Sequence, residues 1–161
     1  MTSKVLSEEV LERMETSVLC WLATVSKDGM PNVSPKEAFM HDGHGKILIA
    51  HIASPQSVGN LESNGFACLS FLDVFVQKGF KIHGKACVLR DGHEGFQIQY
   101  AKLRRYIGPK FPIHAVIEFE PETVSPIIAP SYRMFPEIGE RDMVRESLET
   151  YRVESVLDTL Q

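Results

Sequence analysis

A pattern typical of the start of a helix follows an apolar run: Ser54, Pro55, Gln56 and Ser57. Pro55 suits the first helical position because its missing N–H would have no partner there. Ser54 would then be the N-cap. The free N–H groups of the first turn and the two serine hydroxyls could bind a phosphate. Ordinary capping by Ser54 is the competing interpretation.

A second candidate lies inside a predicted strand, 32–40, which carries Ser34, Pro35, Lys36 and Glu37 in its middle. Proline removes a hydrogen bond from a β-ladder, so Pro35 predicts a sheet edge or a bulge. Lys36 would then be a cation beside irregular backbone, where unpaired amides and carbonyls could meet the polar rim of a flat ring. The alternative is a solvated pair of Lys36 and Glu37 on an edge strand.

A third candidate is the segment 76–84, in which Gly79 allows close approach of the backbone. Lys78 and Lys81 add positive charge to it. Because they are three residues apart on a predicted strand, they face opposite ways, and only one can point into a given site.

The histidines and cysteines do not predict a metal site. No two histidines have the i, i+4 spacing of a zinc pair, and no CxxC pattern is present. We therefore expect no metal and treat all six histidines as structural or solvated. The three cysteines, Cys20, Cys68 and Cys87, lie in apolar runs and are expected to be buried, inert thiols.

Length and charge limit the class of protein. A chain of 161 residues with net charge −4 suits one domain over 1–161 and does not favour nucleic-acid binding. No apolar run approaches the ~20 residues that span a bilayer. The first residues carry acids where a signal peptide would be apolar, so we expect a cytoplasmic protein without a membrane partner.

The pattern of apolar residues predicts an α+β barrel. Helices are expected at 7–16, 55–64, 96–108 and 140–153, and six strands at 18–26, 32–40, 46–53, 66–76, 78–90 and 113–124. The C-terminal part, 125–161, is expected to be extended chain followed by the last helix. Asp28-Gly29 predicts a hairpin, and strict β–α alternation is missing, so a mainly antiparallel barrel is favoured over a doubly wound sheet.

The order of these segments resembles a known family. LATVSKDGMPNVSP, KILIAHIASPQSVGNL, ACLSF and KGFKIHGKACVLRD follow one another as in the FMN-binding split-barrel family of the pyridoxamine-phosphate-oxidase type, over about residues 8 to 120. The resemblance implies a mainly antiparallel, six-stranded split β-barrel with flanking helices. It also implies a homodimer with FMN in clefts at the subunit interface.

The resemblance also implies a set of cofactor-binding residues. Val33, Ser34, Pro35 and Lys36 would line the isoalloxazine edge, and Ile52, Ala53 and Ser54 would lie along the flavin. Ser54, Gln56 and Ser57 would meet the phosphate. Lys78 and Gly79 would approach the cofactor from the same or the opposite chain, and the Asn60-Leu61 pair is interpreted as mainly structural.

Two departures from the family pattern limit what is carried over. Many members have basic residues where this chain has Gln56 and Ser57, so Lys36 or Lys78 would have to supply the phosphate's cation. The C-terminal Arg-x-His pattern of the vitamin-B6 oxidases is missing, so their substrate is not transferred. The tail with Tyr132 and Arg133 is hypothesised to cover the cleft instead.

The expected function is that of a small FMN-dependent oxidoreductase or flavin reductase-like protein of unknown substrate, with no residue assigned as acid or base. One alternative is a non-enzymatic protein that binds FMN, haem or a deazaflavin for electron transfer or storage. Another is a cofactor-free barrel that serves as a dimeric interaction module.

Overall fold

The structure is a computed structural model that describes residues 5–153 of the chain. The helices in this part are α1 (Glu8–Thr16), α2 (Pro55–Ser63), α3 (Phe96–Ile107), α4 (Ser131–Met134) and α5 (Glu140–Tyr151). The strands are β1 (Cys20–Val25), β2 (Pro31–Lys36), β3 (Phe39–His41), β4 (Ile47–His51), β5 (Phe66–Asp73), β6 (Lys78–Leu89) and β7 (Ala115–Ile128).

One antiparallel sheet contains these seven strands in the order β2-β1-β5-β6-β7-β4-β3. Its edge strands, β2 and β3, are consecutive in the sequence and are joined only by Glu37 and Ala38. Because so short a link connects opposite edges, the sheet must curl until those edges approach each other. The expected α+β fold, a mainly antiparallel split barrel with flanking helices, is confirmed.

The strand count is seven instead of the expected six. The predicted strand 32–40 is two strands, because the chain leaves one edge of the sheet after Lys36 and joins the other at Phe39. A hydrogen bond of 2.9 Å from the Ala50 N–H to the Ala38 carbonyl ties this crossing to β4. The proline-interrupted stretch is therefore the point where the barrel closes.

The tail also differs from the expectation of extended chain over 125–139. Residues 125–128 continue β7 and pair with the start of β6, from Lys78 to Lys81. Ser131–Met134 then forms the short helix α4. The sequence pattern missed this strand because the prolines suggested a break, whereas Pro126 lies within β7.

Two apolar clusters lie on opposite faces of the sheet. Ile47 and Ile49 of β4 belong to the cluster inside the barrel, and Leu48 and Ala50 belong to the cluster beneath α3, with Leu103. Successive residues of a strand face opposite sides, so both faces of β4 are covered. This explains why the segment is apolar at consecutive positions.

The expectation for the cysteines is only partly met. Cys20 is buried, Cys68 is half-buried and Cys87 is exposed. Burial raises the pKa of Cys20 to about 12, and it also raises the pKa values of Cys68 and Cys87. All three groups therefore remain thiols at neutral pH.

Within residues 5–153, no helix combines the length and apolar character needed to cross a membrane. No group of three or more His, Cys, Asp or Glu residues in that range is arranged to hold a metal ion. His41, expected in a turn, lies in β3, and its Nε2 is 2.9 Å from Glu15 Oε1.

Two glycines of β6 are required by neighbouring backbone. A Cβ on Gly79 would lie 1.9 Å from the carbonyl oxygen of Phe71, and one on Gly84 would lie 2.1 Å from that of Glu120. The register of β6 and β7 also shifts between His83 and Gly84. Packing between strands thus accounts for the glycine at both positions.

Gly79→Ala should lower the free energy of unfolding by about 2 kcal/mol, because the strands must move apart to admit the methyl group. Gly59→Ala is the control, since Gly59 lies in α2 and an added Cβ there meets nothing within 4 Å. That variant should be neutral or gain up to about 1 kcal/mol from the higher helix propensity of alanine. Urea unfolding followed by circular dichroism measures both, and equal effects would contradict the steric account.

Candidate functional site

The candidate site is built on the inner face of β2. Asn32, Ser34 and Lys36 alternate on this face, opposite Thr24, Leu22 and Cys20 of β1 in the register of the sheet. Each of the three β2 side chains reaches the start of α2, through the contacts described below. The period of the strand thus turns three polar residues toward one helix end.

Ser57 is the centre of these contacts. Its Oγ lies 2.8 Å from the Oγ of Ser34 and accepts a hydrogen bond of 3.2 Å from Asn32 Nδ2. Asn60 donates to Thr24 Oγ1 at 3.0 Å and accepts from Gln56 Nε2 at 2.8 Å. The hydroxyl of Ser57 is buried and engaged within the protein, so it fixes α2 to β2 and does not extend into solvent.

Ser54 is the N-cap of α2 and Pro55 begins the helix, as predicted. The Ser54 side chain makes no capping hydrogen bond, however; its Oγ accepts a hydrogen bond from Lys36 Nζ. The interpretation of Ser54 as an ordinary side-chain cap is therefore wrong. The N–H groups of the first turn have no partners within the helix.

Lys36 is buried, with 6% of its surface exposed, while Glu37 is exposed. The interpretation of these residues as a solvated ion pair is thus wrong. Burial lowers the pKa of Lys36, and the neighbouring Cys20 acts weakly in the other direction. The first turn of α2 contains no acidic residue. The ammonium and the positive end of the helix dipole therefore lie together, an arrangement that an anion would stabilise.

A groove of about 590 Å³ opens beside Lys36. Six of the predicted site residues line it: Ser34, Pro35, Lys36, Ile52, Ala53 and Ser54. Glu37 also lines it, and the other lining residues are apolar: Ala38, Ala50, Ile107 and Phe111. The groove joins a cationic, hydrogen-bonding end to apolar walls, which suits a flat ring that carries an anionic group.

Ile107 and Phe111 also line the groove, and the sequence does not predict them as site residues. They come from the end of α3 and the loop after it, where Arg104 fixes the turn. Arg104 Nη1 donates to the carbonyls of Gly108 and Phe111, both at 2.8 Å. Only the packing of α3 on the sheet brings this loop to the groove, and no local sequence signal indicates it.

Val33 and Gln56 lie next to the groove without lining it. Val33 is 58% exposed and points to the outer face of the sheet, opposite Ala23. Gln56 is exposed at the first turn of α2 and binds Asn60. These predicted contacts to a cofactor stay predictions.

Lys78 and Gly79 line a different cavity of the same chain, of about 480 Å³, beside α1 and the start of α5. Lys78 Nζ is 2.9 Å from Glu140 Oε1 and lies 4.2 Å from the centre of the Tyr132 ring. One chain therefore does not bring Lys78 and Gly79 to the groove. An approach from the opposite chain of a dimer stays a prediction.

The C-terminal segment packs on the turn between β5 and β6. The Tyr132 hydroxyl donates to the Val76 carbonyl at 2.7 Å, and Ser147 Oγ donates to that of Phe75 at 3.0 Å. Neither Tyr132 nor Arg133 lines the groove. Within one chain, the tail thus supports this turn and does not cover the groove.

Comparisons with known proteins agree with this fold. The model of the family described as pyridoxamine 5'-phosphate oxidase matches residues 6–127. The comparison with curated proteins finds no match. Among solved structures, an FMN-binding protein from Syntrophomonas wolfei is 17% identical, with 75% of this chain and 88% of that chain covered and a TM-score of 0.61.

Two further structures have the same fold. The heme storage protein HutZ from Vibrio cholerae is 22% identical over 77% of this chain and 94% of its own, with a TM-score of 0.58. A protein described as F420 reductase is 25% identical over 78% of this chain and 98% of its own, with a TM-score of 0.55. At identities this low, the likeness shows that the fold is shared and does not show which ligand this chain binds.

The family match covers most of the chain, from α1 to Ile127 in β7, and includes the groove-lining residues. The antiparallel split barrel agrees with it. The chain belongs to the pyridoxamine 5'-phosphate oxidase family.

Proposed function

We propose that the protein binds FMN in the groove and acts as a small FMN-dependent oxidoreductase or flavin reductase-like protein. The observation that carries this proposal is the buried Lys36 ammonium at the positive end of α2, next to a groove with apolar walls. The positive end of α2 beside Lys36 favours an anion, and the apolar walls of the groove favour a flat ring. Ser54 and Lys36 belong both to this helix end and to the groove, so one ligand that carries an anionic group on a flat ring would fill the site.

Different residues of the groove would bind the phosphate and the ring of FMN. Lys36 and the N–H groups of the first turn of α2 would hold the phosphate, with Lys36 as the cation that Gln56 and Ser57 do not supply. Ile52 and Phe111 would exclude water from the ring. FMN, when bound, supplies the redox chemistry by accepting and donating electrons.

A homodimer is the second part of the proposal. The outer face of β1, β2 and β5 carries exposed apolar side chains, among them Trp21, Val33, Phe66 and Leu72. An apolar face of this kind is typical of an interaction surface. It adjoins Pro35 at the groove, so a partner seated on it would lie beside the cofactor.

The alternative ligands make different demands on the groove. Haem is usually held by a histidine, cysteine or methionine ligand to iron. None of the described residues that line the groove is one of these. A deazaflavin shares the flat ring and phosphate of FMN, so the groove does not discriminate between these two ligands.

The absorbance spectrum of the purified protein distinguishes the alternatives. Visible flavin absorbance supports FMN, a Soret band supports haem, and a colourless protein that does not bind added FMN supports the interaction module.

Turnover separates an enzyme from a carrier. We expect NADH or NADPH to reduce the bound FMN and an added acceptor to reoxidise it repeatedly. Reduction without turnover on any acceptor would support the non-enzymatic alternative.

Lys36→Met should weaken FMN binding about tenfold or more, because charge-assisted hydrogen bonds to phosphate are among the strongest polar contacts. Riboflavin, which lacks the phosphate, should bind both proteins with similar affinity. Titration calorimetry measures the dissociation constants. The matched control is Lys27→Met, since Lys27 is exposed in the turn between β1 and β2; unchanged FMN affinity in Lys36→Met would contradict the site.

The same variant should stabilise the ligand-free protein by about 1 kcal/mol at pH 7, since it removes a buried charge that no acidic residue in the first turn of α2 offsets. The pKa of Lys36 is lowered in the folded state from 10.5. Between the lowered pKa and 10.5 the unfolded chain therefore binds more protons than the folded state. The destabilisation caused by the buried Lys36 charge decreases as pH rises through that window.

The stability difference between Lys36→Met and the wild type should therefore narrow as pH approaches 10.5. Urea unfolding at several pH values tests this, and comparing the two proteins cancels the other titrating groups. A variant that is less stable than the wild type at pH 7 would indicate a purely structural role for Lys36.

Val33→Asp should convert the proposed dimer to a monomer, because a buried carboxylate without a partner opposes association. Sedimentation velocity measures the mass. Ile98→Asp is the control, since Ile98 is an exposed apolar residue of α3, outside that face. A wild-type protein that is monomeric at micromolar concentration would refute the dimer.

A further inference from the structure

His51 is a buried histidine with an unsatisfied ring nitrogen. It is the last residue of β4, its side chain is 9% exposed, and its Nδ1 has no hydrogen-bond partner. Its backbone carbonyl accepts from the N–H of His114 at 2.9 Å, so the main chain is paired. Buried polar atoms nearly always have partners, and this exception calls for an explanation.

The position of His51 connects it with the proposed anion site. Ile47, Ile49 and His51 are at alternate positions of β4, so the ring faces the same side as the inner cluster. The next residues, Ile52 to Ser54, line the groove and lead into α2. His51 thus lies behind the wall of the groove, three residues before the N-cap.

The charged groups around His51 have a net positive charge. They are Lys36 from β2, Glu62 from α2, Arg90 after β6 and His114 before β7. Arg90 and Glu62 pair with each other at 2.8 Å, so they largely cancel. Burial, followed by the charge of Lys36, lowers the pKa of His51. In the ligand-free protein the ring is therefore neutral at pH 7.

We propose that His51 is a positioning residue that couples anion binding at Lys36 to the uptake of a proton. A phosphate beside Lys36 offsets the charge that adds to burial in keeping the ring neutral, so the pKa of His51 rises, and the unpartnered Nδ1 takes one proton without losing a hydrogen bond. The inference rests on the proposed FMN site. FMN affinity is then greater at acidic pH and falls as pH rises through the pKa of His51 in the complex.

The test compares FMN dissociation constants of the wild type and His51→Gln from pH 5.5 to 8.5, as about that range covers histidine titration. The phosphate of FMN also titrates near pH 6, so the ratio of the two proteins is the informative quantity. We expect this ratio to change several-fold across the range, toward the limit of about tenfold that a one-unit change in one pKa sets. Parallel curves would overturn the proposal.

The wild type alone gives an independent readout. Calorimetry in buffers of different ionisation enthalpy should detect proton uptake on FMN binding at about pH 6, because burial still lowers the pKa of His51 from 6.5 in the complex, and this uptake should fall in His51→Gln. His114→Gln is the matched control, because that exposed ring lies 6.2 Å from His51 and should leave the uptake intact. Absence of uptake in the wild type would also overturn the proposal.

The two proposals fail in different ways. The proposed site and the role of His51 are both refuted if FMN does not bind the wild type, or if it binds Lys36→Met as tightly as the wild type. If Lys36→Met weakens binding while His51→Gln leaves the pH profile unchanged, only the role of His51 is refuted.

Discussion

The site depends on one electrostatic arrangement, a lysine ammonium buried at the positive end of a helix. Lys36 and the first turn of α2 repel each other weakly, and the first turn contains no carboxylate to offset this. Such a pairing costs stability in the ligand-free protein and is relieved by an anion. The repulsion that His51 experiences is a second consequence of the same arrangement.

The fold makes this arrangement rigid. The alternation of β2 turns Asn32, Ser34 and Lys36 toward α2, and the hydroxyl of Ser57 anchors the helix against them. The crossing at Glu37 and Ala38 then closes the barrel at the same place. The proline-interrupted strand therefore serves both purposes, since it ends one sheet edge and forms one wall of the groove.

The sequence predicted those parts of the site that have local signals. Ser34, Lys36 and Ser54 were found because a proline within a strand and a Ser-Pro helix start are each visible in a few residues. Phe111 and the burial of His51 depend on how distant elements pack, and no local pattern reports that. The prediction that Lys78 and Gly79 approach the cofactor came from the family resemblance, and one chain places them at another cavity.

The most direct test of the central claim is a crystal structure of the protein with FMN. We expect the phosphate to lie within hydrogen-bond distance of Lys36 Nζ and of the N–H groups of Gln56 and Ser57, with the ring against Ile52. A phosphate bound elsewhere, with the Lys36 ammonium still held only by Ser54, would contradict it.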